Sequence, residues 1–143
     1  MDVALQKAEA AAQLGEVPVA CVIVQGDTLL ALQHNLVETK NDPTAHAELL
    51  AIQEACAALG TTRLQGCTAF VTLEPCPMCA AALSAARISL LVYACADPKT
   101  GACRSLMAIP SDGRLPHTFP MVEGVLGDKS TALLQHFFKR LRG

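Results

Sequence analysis

Four side chains of this 143-residue chain are of types that do chemistry together: His46 and Glu48 in NDPTAHAELLAI (41–52), and Cys76 and Cys79 in EPCPMC (74–79). A Cys-x-x-Cys at the start of a helix puts two sulfurs on one face, within reach of one ion. The positive end of that helix also favours the thiolate form. Taken alone the pair fits a redox dithiol as well as a metal half-site, and two packed cysteines fit as well. Adding His46 changes the count. Two thiolates and one imidazole give tetrahedral zinc three protein ligands and leave the fourth position to water, the pattern of a catalytic site; structural zinc sites are normally closed by four protein ligands. No second Cys-x-x-Cys is present to close this one. Zinc lowers the pKa of bound water from about 16 to about 7, and a neighbouring carboxylate such as Glu48 can then move the proton. Helical spacing does not bring Glu48 to the metal, because residues two apart point to different sides.

The elements that must hold these residues follow from the pattern of the chain. Asp2 to Leu14 reads as an Ala-rich helix stopped by Gly15, and Val17 to Val24 as a strand covered on both faces. A turn at Gln25-Gly26-Asp27 leads to a second strand, Thr28 to His34, so the two strands form a hairpin. Pro43 and Thr44 open a helix that runs to about Leu59 and ends at Gly60. Cys67 to Leu73 is a third strand, and an Ala-rich helix after Pro75 and Pro77 runs to about Arg87. Ile88 to Ala94 is a fourth strand, parallel to the third through a right-handed crossover. Asp97 to Pro120 is loop with a short helix near Arg104 to Met107; Val122 to Val125 is a fifth strand and Lys129 to Arg142 a closing helix. The result is one α/β domain, residues 1–143, with a mixed sheet. Both halves of the candidate site sit where a strand or loop gives way to a helix, a common place for ligands in such sheets.

Composition narrows the function classes. Hydrophobic residues make up 52% and charged residues 17%, so the chain buries a core and is not disordered. A formal charge of −2 gives no global pull on nucleic acid, and any such binding has to be local. No apolar run reaches the roughly 18 residues of a membrane helix, and the N-terminus lacks the basic and apolar regions of a signal peptide. Seven cysteines in no scaffold-like spacing read as reduced thiols of a cytoplasmic protein. Cys21, Cys56, Cys67, Cys95 and Cys103 read as small packing residues.

The order His46-x-Glu48 … Pro75-Cys76-x-x-Cys79 resembles the H-x-E…P-C-x-x-C signature of the zinc nucleobase deaminases. That signature is shared by cytidine, deoxycytidylate, guanine and tRNA adenosine deaminases. Three further stretches resemble the bacterial tRNA-specific adenosine deaminases: GEVPVACVIV (15–24), DPKTGACRSLM (97–107) and EGVLGDKSTALLQHFFKRLR (123–142). The resemblance spans nearly the whole chain in order. It implies a three-layer α-β-α, cytidine-deaminase-like fold around a central mixed five-stranded sheet, one Zn2+ per subunit, a homodimer and no organic cofactor. The implied substrate is the wobble adenosine in the anticodon stem-loop of an arginine tRNA, converted to inosine. Zinc-bound hydroxide would attack C6, held on His46, Cys76 and Cys79, with Glu48 as proton shuttle.

By the same resemblance Asn35 contacts the target nucleoside, while Val17, Leu73 and Pro75 wall its pocket. Asp97 and Lys99 meet neighbouring nucleotides, and Phe138, Arg140 and Arg142 flank the RNA groove. The residues by themselves leave other readings open. Asn35 and Asp97-Pro98 are ordinary turn residues, the basic residues near 140 complement a helix C-terminus, and Phe137 and Phe138 fit a core. The chain departs from the family's pattern at Ala20-Cys21, at Pro98 and at LPHTFP (115–120), where His117 stands without the arginine many relatives have, and it ends without a long basic tail. All but the first lie on the expected RNA side and bear on affinity rather than on chemistry. Three alternatives stand beside this reading: a deaminase of a free base such as guanine, an engineered or divergent deaminase of single-stranded DNA, and a catalytically silent, zinc-stabilised RNA-binding subunit.

Overall fold

The computed structural model describes residues 1–143. Five strands, β1 (Ala20–Gln25), β2 (Thr28–His34), β3 (Cys67–Leu73), β4 (Leu90–Cys95) and β5 (Met121–Glu123), form one sheet in the order β2-β1-β3-β4-β5. β1 pairs antiparallel with both β2 and β3, whereas β3–β4 and β4–β5 are parallel. The helices are α1 (Asp2–Gln13), α2 (Val37–Lys40), α3 (Ala47–Leu59), α4 (Pro77–Ala85) and α5 (Gly127–Leu141). α1 and α5 pack on one face of the sheet, and α3 with α4 lies on the other. This is the three-layer α-β-α arrangement with a mixed five-stranded sheet.

Alternation along the strands divides the core between the two faces. Cys21, Ile23, Ala69, Val71, Leu91 and Tyr93 are buried against Ala47, Ala51 and Ala55 of α3 and Ala80 and Leu83 of α4. On the other face Ala4, Ala8 and Ala11 of α1 are fully buried. Alanine is the smallest side chain with strong helix propensity, so these helices sit close to the sheet without large aromatics. Gly127 opens α5 for a related reason: a Cβ there would lie 2.6 Å from the Ala94 carbonyl oxygen. All seven cysteines are free; Cys21, Cys67 and Cys103 are buried, and Cys56 and Cys95 are partly so.

Several boundaries differ from the expected ones. The strand expected from Val17 starts at Ala20, because Pro18 has no N–H to give a ladder and the Val19 N–H turns back to the Val17 carbonyl at 2.8 Å. The helix expected from Pro43 begins at Ala47. The Asp42 side chain accepts hydrogen bonds from the Thr44 N–H and hydroxyl, at 2.8 and 2.7 Å, and so builds a turn instead. α2 was not expected; Asn41 ends it in the left-handed region at φ 50°. No helix forms near Arg104 to Met107, and the single 3-10 turn of that region is Ile109–Ser111. β4 begins two residues late, after Arg87 at φ 61°. β5 ends at Glu123, before Gly124 at φ 83°. No helix is long and apolar enough to cross a membrane.

Candidate metal centre and active site

The site forms where β3 ends and the N-termini of α3 and α4 converge. His46 is the N-cap of α3, with extended backbone (φ −74°, ψ 148°), and Cys76 is the N-cap of α4 (φ −73°, ψ 174°). Pro77 takes the first position of α4, where its missing N–H costs nothing. Cys79 follows within the first turn and is fully buried. The chain thus aims one imidazole and two sulfurs at a point in front of two helix dipoles, which favour negative charge there.

His46 Nδ1 lies 3.6 Å from Cys76 Sγ and 3.5 Å from Cys79 Sγ, and the three ligand atoms all lie within 4.8 Å of one another. Zinc bonds of about 2.3 Å to sulfur and about 2.0–2.1 Å to nitrogen put the N···S edge of a tetrahedron at about 3.5 Å. The donor set and its spacing therefore fit a tetrahedral ion with one corner open. The protonation states agree with this chemistry. The Cys76 thiol is lowered to about 4, chiefly by the hydrogen bond from Cys79 and then by His46. The Cys79 thiol is pushed up by its contact with Cys76 and by burial.

Glu48, 4% exposed, is the second residue of α3 and lines the same cavity as His46 and Cys76. Burial raises its carboxyl from 4.5 to about 7, so near neutral pH it both accepts and releases a proton. Because His46 stands outside the helix, the helical rule that residues two apart diverge does not apply to this pair.

The cavity, about 280 Å³, also brings in Val17, Asn35, Leu73 and Asp97 among the residues named from sequence. Cys79 lies behind it, within the ligand cluster. Pro75 is fully buried beneath the wall, where its carbonyl accepts the Ala102 N–H at 2.9 Å. Lys99 is exposed on the same loop as Asp97 but outside the lining. Phe138, 40% exposed, and Arg142 lie at the end of α5 and also outside it, while Phe137 is buried. His117 is anchored away from the cavity: its Nε2 bonds to the Ile88 carbonyl at 2.8 Å.

Val19, Val37, Glu38, Glu74 and Thr100 line the cavity without having been singled out from the sequence. Its walls are pinned by backbone bonds and buried groups. The Asn35 N–H donates to the Val19 carbonyl at 3.0 Å, and the Asn35 carbonyl accepts from His34 Nδ1 at 2.7 Å. Buried Glu16 accepts the N–H of Glu38 (3.1 Å) and both the N–H and hydroxyl of Thr39 (2.6 Å each), tying down α2. Burial raises the Glu16 carboxyl, but these hydrogen bonds outweigh it and hold the group below its ordinary 4.5. Glu74 binds the loop after β4 in the same manner. There too burial acts upward, and the bonds from Ser105, Arg104 and Asp97 bring the carboxyl down to about 2. The signal for both was a carboxylate flanking an apolar strand, a position where a charge needs buried donors.

Comparison with known proteins agrees with this geometry. The pattern of the MafB19-like deaminase family matches residues 1–142. The tRNA-specific adenosine deaminase of Bacillus subtilis (strain 168) is 44% identical over 142 residues, covering 99% of this chain and 88% of its own. That of Aquifex aeolicus (strain VF5) is 43% identical, covering 99% and 93%. A solved structure from work on A-to-I editing by tRNA:A34 deaminases at the wobble position superposes with a TM-score of 0.90 at 42% identity, over 94% of this chain and 97% of that one. A guanine deaminase from Nitrosomonas europaea superposes at 0.80 with 25% identity, over 95% and 81%. Identity above 40% along the whole chain, in the same fold and with the His-Cys-Cys cluster assembled, means that the chain belongs to the MafB19-like deaminases and, among them, to the tRNA-specific adenosine deaminase family.

Proposed function

We propose that the protein deaminates adenosine to inosine at the wobble position of a tRNA, acting on the anticodon stem-loop of an arginine tRNA. The observation that carries this reading is the three-ligand cluster with buried Glu48 beside it in one cavity. His46, Cys76 and Cys79 would hold zinc, which supplies a Lewis acid that lowers the pKa of water from about 16 to about 7. Glu48 takes the proton from the attacking water and delivers it to the purine ring nitrogen beside C6. It then takes the proton of the hydroxyl added at C6 and passes it to the departing amine, so that the C6–N bond breaks, the C6 carbonyl forms, and ammonia leaves inosine behind. A carboxyl near 7 suits both halves of that transfer.

Asn35 would contact the nucleoside, with Val17 and Leu73 walling its pocket and Pro75 supporting the wall from below. Asp97 and Lys99 would meet the neighbouring nucleotides, and Phe138 and Arg142 the RNA beyond them. A base in an anticodon loop is already partly unstacked, so flipping it out costs only a few kcal/mol or less. The working form is a homodimer in the cytoplasm, with zinc and no organic cofactor.

The test offers the purified zinc-loaded protein a stem-loop with adenosine at the wobble position, the matching single-stranded DNA and free guanine side by side. Inosine in the stem-loop is the expected product. Turnover of guanine or DNA alone replaces the substrate, and no turnover of any of the three leaves a silent RNA-binding subunit.

A further inference from the structure

One side of the cavity is the loop that follows β4, and one buried side chain makes five hydrogen bonds to that loop. Glu74, 2% exposed, sits at the end of β3 between Leu73 and Pro75. Its Oε1 accepts the Asp97 N–H at 3.1 Å and the Ser105 hydroxyl at 2.5 Å. Its Oε2 accepts the N–H groups of Cys103, Arg104 and Ser105 at 3.0, 2.9 and 3.0 Å. No cation takes part, so the carboxylate is held by backbone and hydroxyl donors alone. The loop is also closed over it by contact: a Cβ on Gly101 would lie 2.4 Å from Glu74 Cδ and 2.5 Å from the Asp97 carbonyl oxygen.

The other end of this arrangement is the metal cluster. Glu74 is two residues from Cys76, while the loop it holds contributes Asp97 and Thr100 to the cavity wall. The Asp97 carboxylate is itself engaged within the loop, accepting the N–H groups of Lys99 and Thr100 at 3.0 and 3.2 Å and the Thr100 hydroxyl at 2.7 Å. The wall is therefore cross-linked within itself, and Glu74 is the side chain that makes the most hydrogen bonds to it, beside the backbone bond from Ala102 N–H to the Pro75 carbonyl.

Resting on the deaminase reading, we propose that Glu74 is a positioning residue for the substrate, acting through the Asp97–Thr100 wall. It fixes the distance between that wall and the metal ligands, and so the fit of the flipped nucleoside between them. Its role belongs to binding and orientation rather than to proton transfer or metal retention.

Two variants test this. Glu74→Gln exchanges one acceptor oxygen for a donor that faces N–H groups or the Ser105 hydroxyl. Gly101→Ala keeps the carboxylate and every metal ligand but forces the loop and Glu74 apart. Both are expected to bind one zinc, to exchange the amides of Asp97 and Cys103–Ser105 faster, and to raise KM for the stem-loop about tenfold, the factor set by one lost charged hydrogen bond. Turnover at saturation is expected to stay within about threefold of wild type, the mark of lost binding rather than lost chemistry.

Faster amide exchange with an unchanged KM would overturn the assignment, as would zinc loss or an equal fall of kcat and kcat/KM in Gly101→Ala. If Glu74→Gln fails to fold, Gly101→Ala decides. Should the wild-type protein leave the stem-loop adenosine unconverted, the deaminase reading falls separately. The Kd for the stem-loop and the amide exchange of the same variants then still decide whether Glu74 sets the wall.

Discussion

His46 Nδ1 and Cys76 Sγ are 3.6 Å apart although 30 residues separate them in the chain. Each is the N-cap of its helix, so neither is fixed by helical geometry alone. The sheet brings them together, since α3 and α4 pack on the same face. A cation bound there would link two elements otherwise joined only by packing. Zinc is therefore expected to stabilise the fold as well as to serve chemistry. At free zinc about 100 times Kd the gain is about 2.7 kcal/mol, seen as a rise in Tm. Cys76→Ser is expected to lose the bound metal, checked by zinc-to-protein ratio, and to show no zinc-dependent rise in Tm.

Glu48 separates metal holding from catalysis. Glu48→Ala keeps all three ligands, so its zinc content should equal that of wild type. Turnover should fall at least by the 10²–10⁴-fold (about) that a positioned acid–base group contributes. Single-turnover deamination of the stem-loop reads this directly. Activity within tenfold of wild type would remove Glu48 from the proton path.

How far the sequence alone reaches depends on the range of the forces involved. The grouping of His46, Cys76 and Cys79 was legible because one histidine and two cysteines stand in a recognisable order, and the structure brings the three together. The β1–β2 hairpin and the β3-α4-β4 crossover were legible because apolar periodicity and turn residues act locally. The rest was decided at a distance. No helix forms near Arg104, and the place of this segment is tied to Glu74, 29 to 31 residues earlier, which accepts the amides of Cys103 to Ser105. α2 is anchored in the same way by Glu16, 22 and 23 residues away. His46 lies outside its helix because Asp42 captures Thr44 first. A local pattern cannot report which carboxylate reaches which backbone amide.

Phe137 and Phe138 are adjacent, their rings meeting edge to face with centroids 5.4 Å apart, yet they have different environments. Phe137 is buried, so Phe137→Ala is expected to cost about 3–5 kcal/mol of stability. Phe138 is 40% exposed, and its removal should move the denaturant midpoint far less. If Phe138 stacks on the RNA as proposed, Phe138→Ala weakens stem-loop binding by about 1–3 kcal/mol. Unchanged affinity in a titration at fixed salt would remove it from the RNA contacts.

Glu16 gives the fold a definite dependence on acid. Its folded carboxyl lies below its ordinary 4.5, because the Thr39 hydroxyl and the amides of Thr39 and Glu38 outweigh the upward effect of burial. A depressed folded value means that the unfolded state takes up the proton first as pH falls. The stabilisation is therefore complete above the unfolded value, near neutrality, and is lost as pH drops through the folded one. Glu16→Gln keeps the shape but offers only one oxygen acceptor where three donors converge. It is expected to cost about 1–3 kcal/mol at pH 7, the range for a buried donor left without its partner. The cost should shrink as pH falls below 4.5, because protonation takes the same charge from wild type. Urea midpoints of both proteins between pH 7 and pH 3 check the sign. A gap that stays constant or widens toward acid would show that Glu16 does not hold α2 as a carboxylate.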